Sequence, residues 1–170
     1  MLPAEVVTER LLLRLWEPGD AGELAEIYAQ PEYLGTMPPA NAAEQIAMWS
    51  RRWAVDGFAP WAACERETGR LIGRIGLLRH HDWPLVEDPV EVGWVLHRDY
   101  WGRGLATEGG RAGVHAWLGH LHDDTLYSFT QPQNIRSQAV MERLAMKRGG
   151  TTSWRGLEHV WYALAREEVG

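Results

Sequence analysis

The stretch that most restricts what this chain can fold into is "DYWGRGLATEGGRAG", residues 99–113. Before it, "VEVGWVLH" is apolar and β-branched, as a buried strand is. After it, Val114, Trp117, Leu118 and Leu121 recur at i, i+3, i+4 and i+7, the spacing of one helix face. Gly102-Arg103-Gly104 therefore marks a strand-to-helix turn. The first four N–H groups of a helix lack partners within it, and that end carries partial positive charge. Phosphate binds readily at such an end, and glycine lets its oxygens approach the backbone. A plain tight turn would use the same glycines for backbone angles alone, and the glycines by themselves leave the two readings level. Two other phosphate sites fail on spelling. A P-loop needs Gly-Lys-Ser/Thr, which is absent. A dinucleotide fingerprint needs glycine where Thr107 stands and an acid at the end of the next strand, whereas Asp123 and Asp124 precede that strand.

The rest of the pattern predicts one mixed α/β domain over residues 1–170. "ERLLLRLW" at 9–16 predicts a strand with Leu11, Leu13 and Leu15 on one face and Leu12 and Trp16 on the other. Pro18-Gly19 ends it, and Asp20 with Glu23 forms a capping-box variant before a helix carrying Leu24, Ile27 and Tyr28. Asn41 and Glu44 open a second helix with Ile46, Trp49 and Trp53 on one stripe. "APWAACER" and "RLIGRIGLLRH" predict a hairpin around Glu67-Thr68-Gly69, followed by the loop "HDWPLVEDP". "TLYSFT" predicts a strand, "NIRSQAVMERLAM" a helix, and "GGTTSWRG" with "LEHVWYALA" a closing hairpin. The order is β-α-α-β-β-β-α-β-α-β-β, without internal repeat or linker.

A chain of 170 residues is long enough to bury a real core. No apolar run approaches the roughly 20 residues of a membrane span. The N-terminus lacks the basic start and small-residue cleavage site of a signal peptide. A lone cysteine, Cys64, excludes an internal disulfide and fits the strand core and a reducing compartment. The expectation is a cytoplasmic protein without membrane contact. The net charge of −6 argues against a nucleic-acid partner and suits a cationic acceptor. An anionic cofactor would need a local positive spot in this acidic background.

Taken together, three stretches resemble the Gcn5-related N-acetyltransferases (GNAT), in particular the RimJ/RimL-like branch of ribosomal-protein-alanine acetyltransferases. Trp101-Gly102-Arg103-Gly104-Leu105-Ala106 is similar to the family's Gln/Arg-x-x-Gly-x-Gly/Ala loop, with tryptophan at the first position as in that branch. Glu91-Val92-Gly93-Trp94 precedes it as in the branch. Asn134, Ser137, Val140, Glu142, Arg143 and Leu144 match the family's later helix, where Ala145-Met146 replaces Gly-Phe. "TERLLLRLWEPGD" resembles the branch's first strand, so the likeness covers nearly the whole chain. Gly109-Gly110 departs from the family's better helix formers, implying a loose helix start or unusually close packing.

The resemblance implies the GNAT fold, a central twisted, mostly antiparallel sheet flanked by helices. It also implies acetyl transfer from acetyl-CoA, as co-substrate and without a metal, directly to an amine. The acceptor would be a protein N-terminal α-amine or a small-molecule amine. A non-catalytic acyl-CoA-binding regulatory module is the alternative. A homodimer is compatible with the spelling but not read from it. The pyrophosphate would lie on Arg103, Gly104, Leu105, Ala106 and Thr107, and the pantetheine arm along Val95, Leu96 and His97, whose strand also supplies the oxyanion N–H. Glu91 would take the amine's proton, its alternatives being a solvated acid or an ion-pair partner. Ser137 would stabilise the leaving thiolate. Asn134 would bond a backbone carbonyl and the pantetheine; its bland role is a helix cap, and the two are compatible. The family's tyrosine acid is absent, with Met141 at its position.

Weaker signals are "HHDW" at 80–83 and "HLHDD" at 120–124, read as surface loops rather than metal sites, with His80, His81 and Trp83 as candidates for the acceptor entrance. Arg98, Arg136, Lys147 and Arg148 are candidates for the coenzyme's ribose phosphate. The acceptor cleft is expected from Pro38 and Pro39, the two early helices and the last hairpin.

Overall fold

The computed structural model describes residues 1–34 and 41–169; the predicted contribution of Pro38 and Pro39 lies outside them. The elements are β1 (Glu5–Val7), β2 (Leu11–Arg14), α1 (Ala21–Tyr28), α2 (Ala42–Asp56), β3 (Trp61–Glu65), β4 (Leu71–Arg79) and β5 (Val90–Leu96). They continue with α3 (Leu105–His120), β6 (Thr125–Thr130), α4 (Ile135–Arg143), β7 (Lys147–Trp154) and β8 (Leu157–Ala165). The predicted order holds with one addition. β1 is a three-residue edge strand paired with β2, whose single inward residue, Val6, is too little for a periodic signal in the sequence.

One sheet runs β1-β2-β3-β4-β5-β6-β8-β7. Every pair is antiparallel except β5–β6, which is parallel and joined only at Val90↔Leu126 and Glu91↔Tyr127. Alternation along β2 sends Leu11 and Leu13 to one face and Leu12 to the other. Leu11, Leu13, Ile75, Leu77 and Val92 join the core beneath α3 and α4. Leu12, Ala62, Cys64 and Leu78 belong to the core beneath α1 and α2. Leu15 departs from the expected face: β2 ends at Arg14, and Leu15 is 40% exposed. Trp16 is buried, donating its Nε1–H to Pro60 O at 2.8 Å and stacking on Trp49 at 4.9 Å.

Capping shows the same mixture. Asn41 does cap α2, its Oδ1 accepting from Ala43 N at 3.0 Å. Asp20 does not cap α1. Its backbone is already helical, and its carboxylate turns back to accept from Glu17 N and from both Arg14 Nη atoms at 2.8–2.9 Å.

The glycines of α3 settle the choice the sequence posed. A Cβ on Gly109 would stand 2.4 Å from Ile75 Cδ1 and 3.1 Å from Ile75 Cγ2. One on Gly113 would stand 2.9 Å from Val92 Cγ2, and one on Gly110 2.8 Å from Leu144 Cδ1. The helix is pressed against β4, β5 and the end of α4, so the missing side chains are what let it approach. No helix among the described residues is long and apolar enough to cross a membrane.

Candidate active site

A cleft of about 2040 Å³ opens where β5 and β6 part. The β4–β5 register fixes which β5 groups face it. His97 N donates to Ile72 O and His80 N to Pro89 O, so the hydrogen-bonded pairs alternate from Ile72↔His97 through Arg74↔Val95 to His80↔Pro89. The N–H and C=O of Val95 are therefore directed at β4, while those of Val92, Trp94 and Leu96 face the gap. Ser128 Oγ donates to Val92 O at 2.8 Å where the gap begins. Leu96 O accepts from Tyr33 Oη at 2.5 Å and from Trp101 Nε1 at 2.9 Å. His97 turns elsewhere: its N–H is engaged by Ile72, and its Nδ1 accepts from Asp99 N.

At one end of the cleft stands the first turn of α3. Gly102 and Gly104 have φ of +70° and +77°, a region in which a side chain would be strained. No side chain caps the helix, so the amides of Gly104, Leu105, Ala106 and Thr107 lack intrahelical acceptors and face the cleft mouth. Arg103 is turned away from them and does not line the cleft. Its Nη2 pairs with Glu65 Oε1 at 2.9 Å, and it lies over the Tyr100 ring at 5.1 Å. Hydrogen bonds from Thr68 and from Arg103 hold the Glu65 carboxyl below the ordinary carboxylate range.

The positive charge beside the loop is instead Arg10, which the sequence reading left out. Its Nη1 donates to Arg103 O at 2.7 Å, its Nε pairs with Glu108 at 2.7 Å, and its Nη2 lies 3.4 Å from where a Gly104 Cβ would stand. Glu108 also accepts from Thr8 Oγ1 and from Arg10 N at 2.6 and 2.7 Å. Burial alone would raise its carboxyl, but these three donors together hold it low. The segment 8–10 is thus clamped to the first turn of α3. Arg136 lies 4.7 Å over the Trp101 ring, and Arg98 also borders the cleft. Lys147 is bound by Glu168, and neither it nor Arg148 lines the cleft.

On the α4 wall, Asn134 caps the helix through Ser137 N, while its Nδ2 donates to Thr130 Oγ1 at 2.9 Å and to Ser137 Oγ at 3.1 Å. Trp94 Nε1 donates to the same Ser137 oxygen at 3.3 Å. Both lone pairs of that hydroxyl are occupied, which leaves its proton available to the cleft. Met141 is buried in the core.

At the opposite end, Glu91 accepts a hydrogen bond from His80 Nε2 at 2.6 Å. His80 is buried edge-on to Phe129 and Trp154. Trp83 stacks on Phe129 at 3.7 Å and meets Trp154 at 5.2 Å. The loop carrying His80 and Trp83 is tied down on both sides, by Arg155–Asp82 at 2.7 Å and by Arg52 on His81 at 2.9 Å. Across from Glu91, Arg74 projects from β4 beside Trp49, which it covers at 5.7 Å. Burial pushes the neighbouring Tyr28 phenol up, against the pull of that guanidinium. Among the described residues no group of three His, Cys, Asp or Glu side chains is placed to hold a metal.

The curated Uncharacterized N-acetyltransferase YnaD of Bacillus subtilis (strain 168) is 25% identical over 146 residues, covering 85% of this chain and 84% of that protein. Among solved structures, the acetyltransferase from Agrobacterium tumefaciens str. C58 is 28% identical with a TM-score of 0.82, covering 96% of this chain and 95% of that one. AAC(6')-Ib, solved in complex with Parmomycin and AcetylCoA, has the same fold at 20% identity, with a TM-score of 0.78 over 94% of this chain and 96% of that one. Residues 10–147 match the family described as Acetyltransferase (GNAT) domain. With the match spanning most of the chain, from Arg10 beside the loop to the start of β7, this protein belongs to the GNAT acetyltransferase family.

Proposed function

We propose that residues 1–170 form one domain that acts in the cytoplasm as an N-acetyltransferase, moving the acetyl group of acetyl-CoA directly to a primary amine. The observation that carries this reading is the uncapped first turn of α3 at the mouth of a gap between two parting parallel strands. Bare amides, the helix dipole and Arg10 favour a pyrophosphate there. The edge of β5 that faces the gap offers the Trp94 N–H and C=O and the Leu96 N–H to the pantetheine amides, as a sheet edge takes an added peptide, the Leu96 carbonyl being already taken by Tyr33 and Trp101.

The residues then divide the chemistry. Glu91 accepts a proton from the acceptor ammonium, directly or through water, leaving the nitrogen lone pair free to attack. His80, bonded to the other side of that carboxylate, fixes its orientation. A gap-facing N–H of β5 stabilises the charge that develops on the thioester oxygen as the C–N bond forms. As the C–S bond breaks, the nitrogen's remaining surplus proton passes to the departing sulfur, and Ser137 stabilises that sulfur with a hydrogen bond, a role that suits this chain because Met141 has no acid to offer.

Calorimetry with acetyl-CoA and a thiol-release assay over peptides, polyamines and aminoglycosides test the reading. Wild type should bind the coenzyme and release thiol only with an amine present, and Gly104→Val should bind no coenzyme. Coenzyme binding without acetylation of any amine would indicate a regulatory binding module instead. Wild-type affinity in Gly104→Val would remove the pyrophosphate from this loop.

A further inference from the structure

The end of the cleft around Glu91 holds a second charge that the acetyl-transfer step does not use. Arg79, Arg155 and Arg52 each have a carboxylate partner, in Asp123, Asp82 and Asp56 at 2.7–3.0 Å. Arg74 has none among the described residues, and its Nε is buried without any hydrogen-bond partner. Residues 35–40, "GTMPPA", contain no acid that could serve. The Tyr28 hydroxyl reaches the guanidinium, which is half-buried at the cleft wall and keeps donor capacity for an anion there.

Its position relative to Glu91 is specific. Glu91 and Gly93 share one face of β5, and Arg74 reaches toward them from β4, where it pairs with Val95. The spot a Gly93 side chain would fill lies 3.4 Å from Glu91 Oε1 and 3.8 Å from Arg74 Nη1. A carboxylate and a guanidinium therefore flank one bare point without forming an ion pair with each other. An ammonium drawn to Glu91 leaves, a few bonds away, a place complementary to an anion. Trp49 under Arg74 and Trp154 beyond His80 give this end aromatic walls.

We propose that the acceptor is an amphoteric small molecule of the α-amino-acid class, its amine placed at Glu91 and its carboxylate bound by Arg74. The inference rests on the N-acetyltransferase reading above. The acceptor ammonium first gives one proton to Glu91; the freed amine then forms the C–N bond as the C–S bond breaks, its second proton passes to the departing sulfur so that coenzyme A leaves as the thiol, and the acceptor's carboxylate stays unreacted on the guanidinium. A polycation is disfavoured, because its second charge would meet Arg74.

Thiol release with acetyl-CoA is compared for L-phenylalanine, L-phenylalaninamide and phenethylamine, the last two lacking the carboxylate. Wild type should favour L-phenylalanine in kcat/KM by 10- to 100-fold, on the order expected for hydrogen bonds to a charged group. Arg74→Met should shrink that ratio to within about threefold. A readout independent of turnover is quenching of tryptophan fluorescence by L-phenylalanine with coenzyme A bound, expected in wild type and lost in Arg74→Met. Gly93→Ala, whose methyl meets its neighbours at ordinary contact distance, should abolish the quenching while acetyl-CoA still binds. Equal rates for all three amines, faster aminoglycoside turnover, or coenzyme binding without any effect of L-phenylalanine would each overturn the inference and leave coenzyme recognition standing. Failure to bind acetyl-CoA would instead overturn the reading beneath it.

Discussion

The backbone amides at the α3 end of the cleft come from one uninterrupted stretch, residues 101–107, with Arg10 alone brought in from afar, whereas the Glu91 end draws Arg74 from β4, His80 from the following loop, Glu91 from β5 and Trp154 from β7. The first presents backbone amides, the second side chains. A ligand held by backbone needs glycines and a helix start at fixed spacing, so it leaves a contiguous signature. A ligand held by side chains needs only that they converge, and convergence leaves no mark on the order of residues. The two ends should also fail differently when altered.

The largest effect is expected where α3 meets the sheet. Gly109→Val would drive branches into Ile75 and Leu11 and should cost about 3 kcal/mol through overpacking, lowering Tm by roughly 10 °C. A thermal melt within about 2 °C of wild type would break the claim that close packing positions this helix start.

Next comes the opposite end. Glu91→Gln should lower kcat by about 100-fold, the low end of a general base's contribution, and weaken its rise with pH. Acetyl-CoA affinity measured by calorimetry should stay within about twofold. A large loss of coenzyme affinity would show that the two ends are not separable.

The clamp between residues 8–10 and α3 sharpens the comparison further. The Glu108 carboxyl lies below its ordinary value of 4.5 in the folded protein, so it contributes stability above that pH and loses it as pH falls through the lower folded value. Glu108→Gln should be less stable by about 1–2 kcal/mol at neutral pH. Urea midpoints of the two proteins should converge as the pH is taken down from 4.5. Parallel midpoints at every pH would deny the clamp its charge.

The smallest effect concerns the end of α4. Ala145 holds φ of +62°, a left-handed backbone that the family's glycine at this place adopts without strain. Ala145→Gly should raise stability by about 0.5–1 kcal/mol, the relief of strain being partly offset by the greater freedom of the unfolded glycine chain. Chemical denaturation giving a loss instead would mean that the Ala145 methyl packs favourably.

The chain alone determined the element order apart from β1, the strand-to-helix turn at Gly102-Arg103-Gly104, the Asn41 and Asn134 caps and the burial of Cys64, because periodicity, capping and glycine spacing act over a few residues. Glu91 and Ser137 are singled out by the resemblance to the acetyltransferase family, not by these local patterns. Only the tertiary structure paired Arg103 with Glu65 and brought Arg10 to the loop in its place, since an arginine's partner is whichever carboxylate the fold delivers. It likewise turned Asp20 onto Arg14, His80 onto Glu91, and Arg74 toward a spot left bare by Gly93. Those meetings span many residues of chain or cross between strands, and the sheet register, not the residue order, sets their distances.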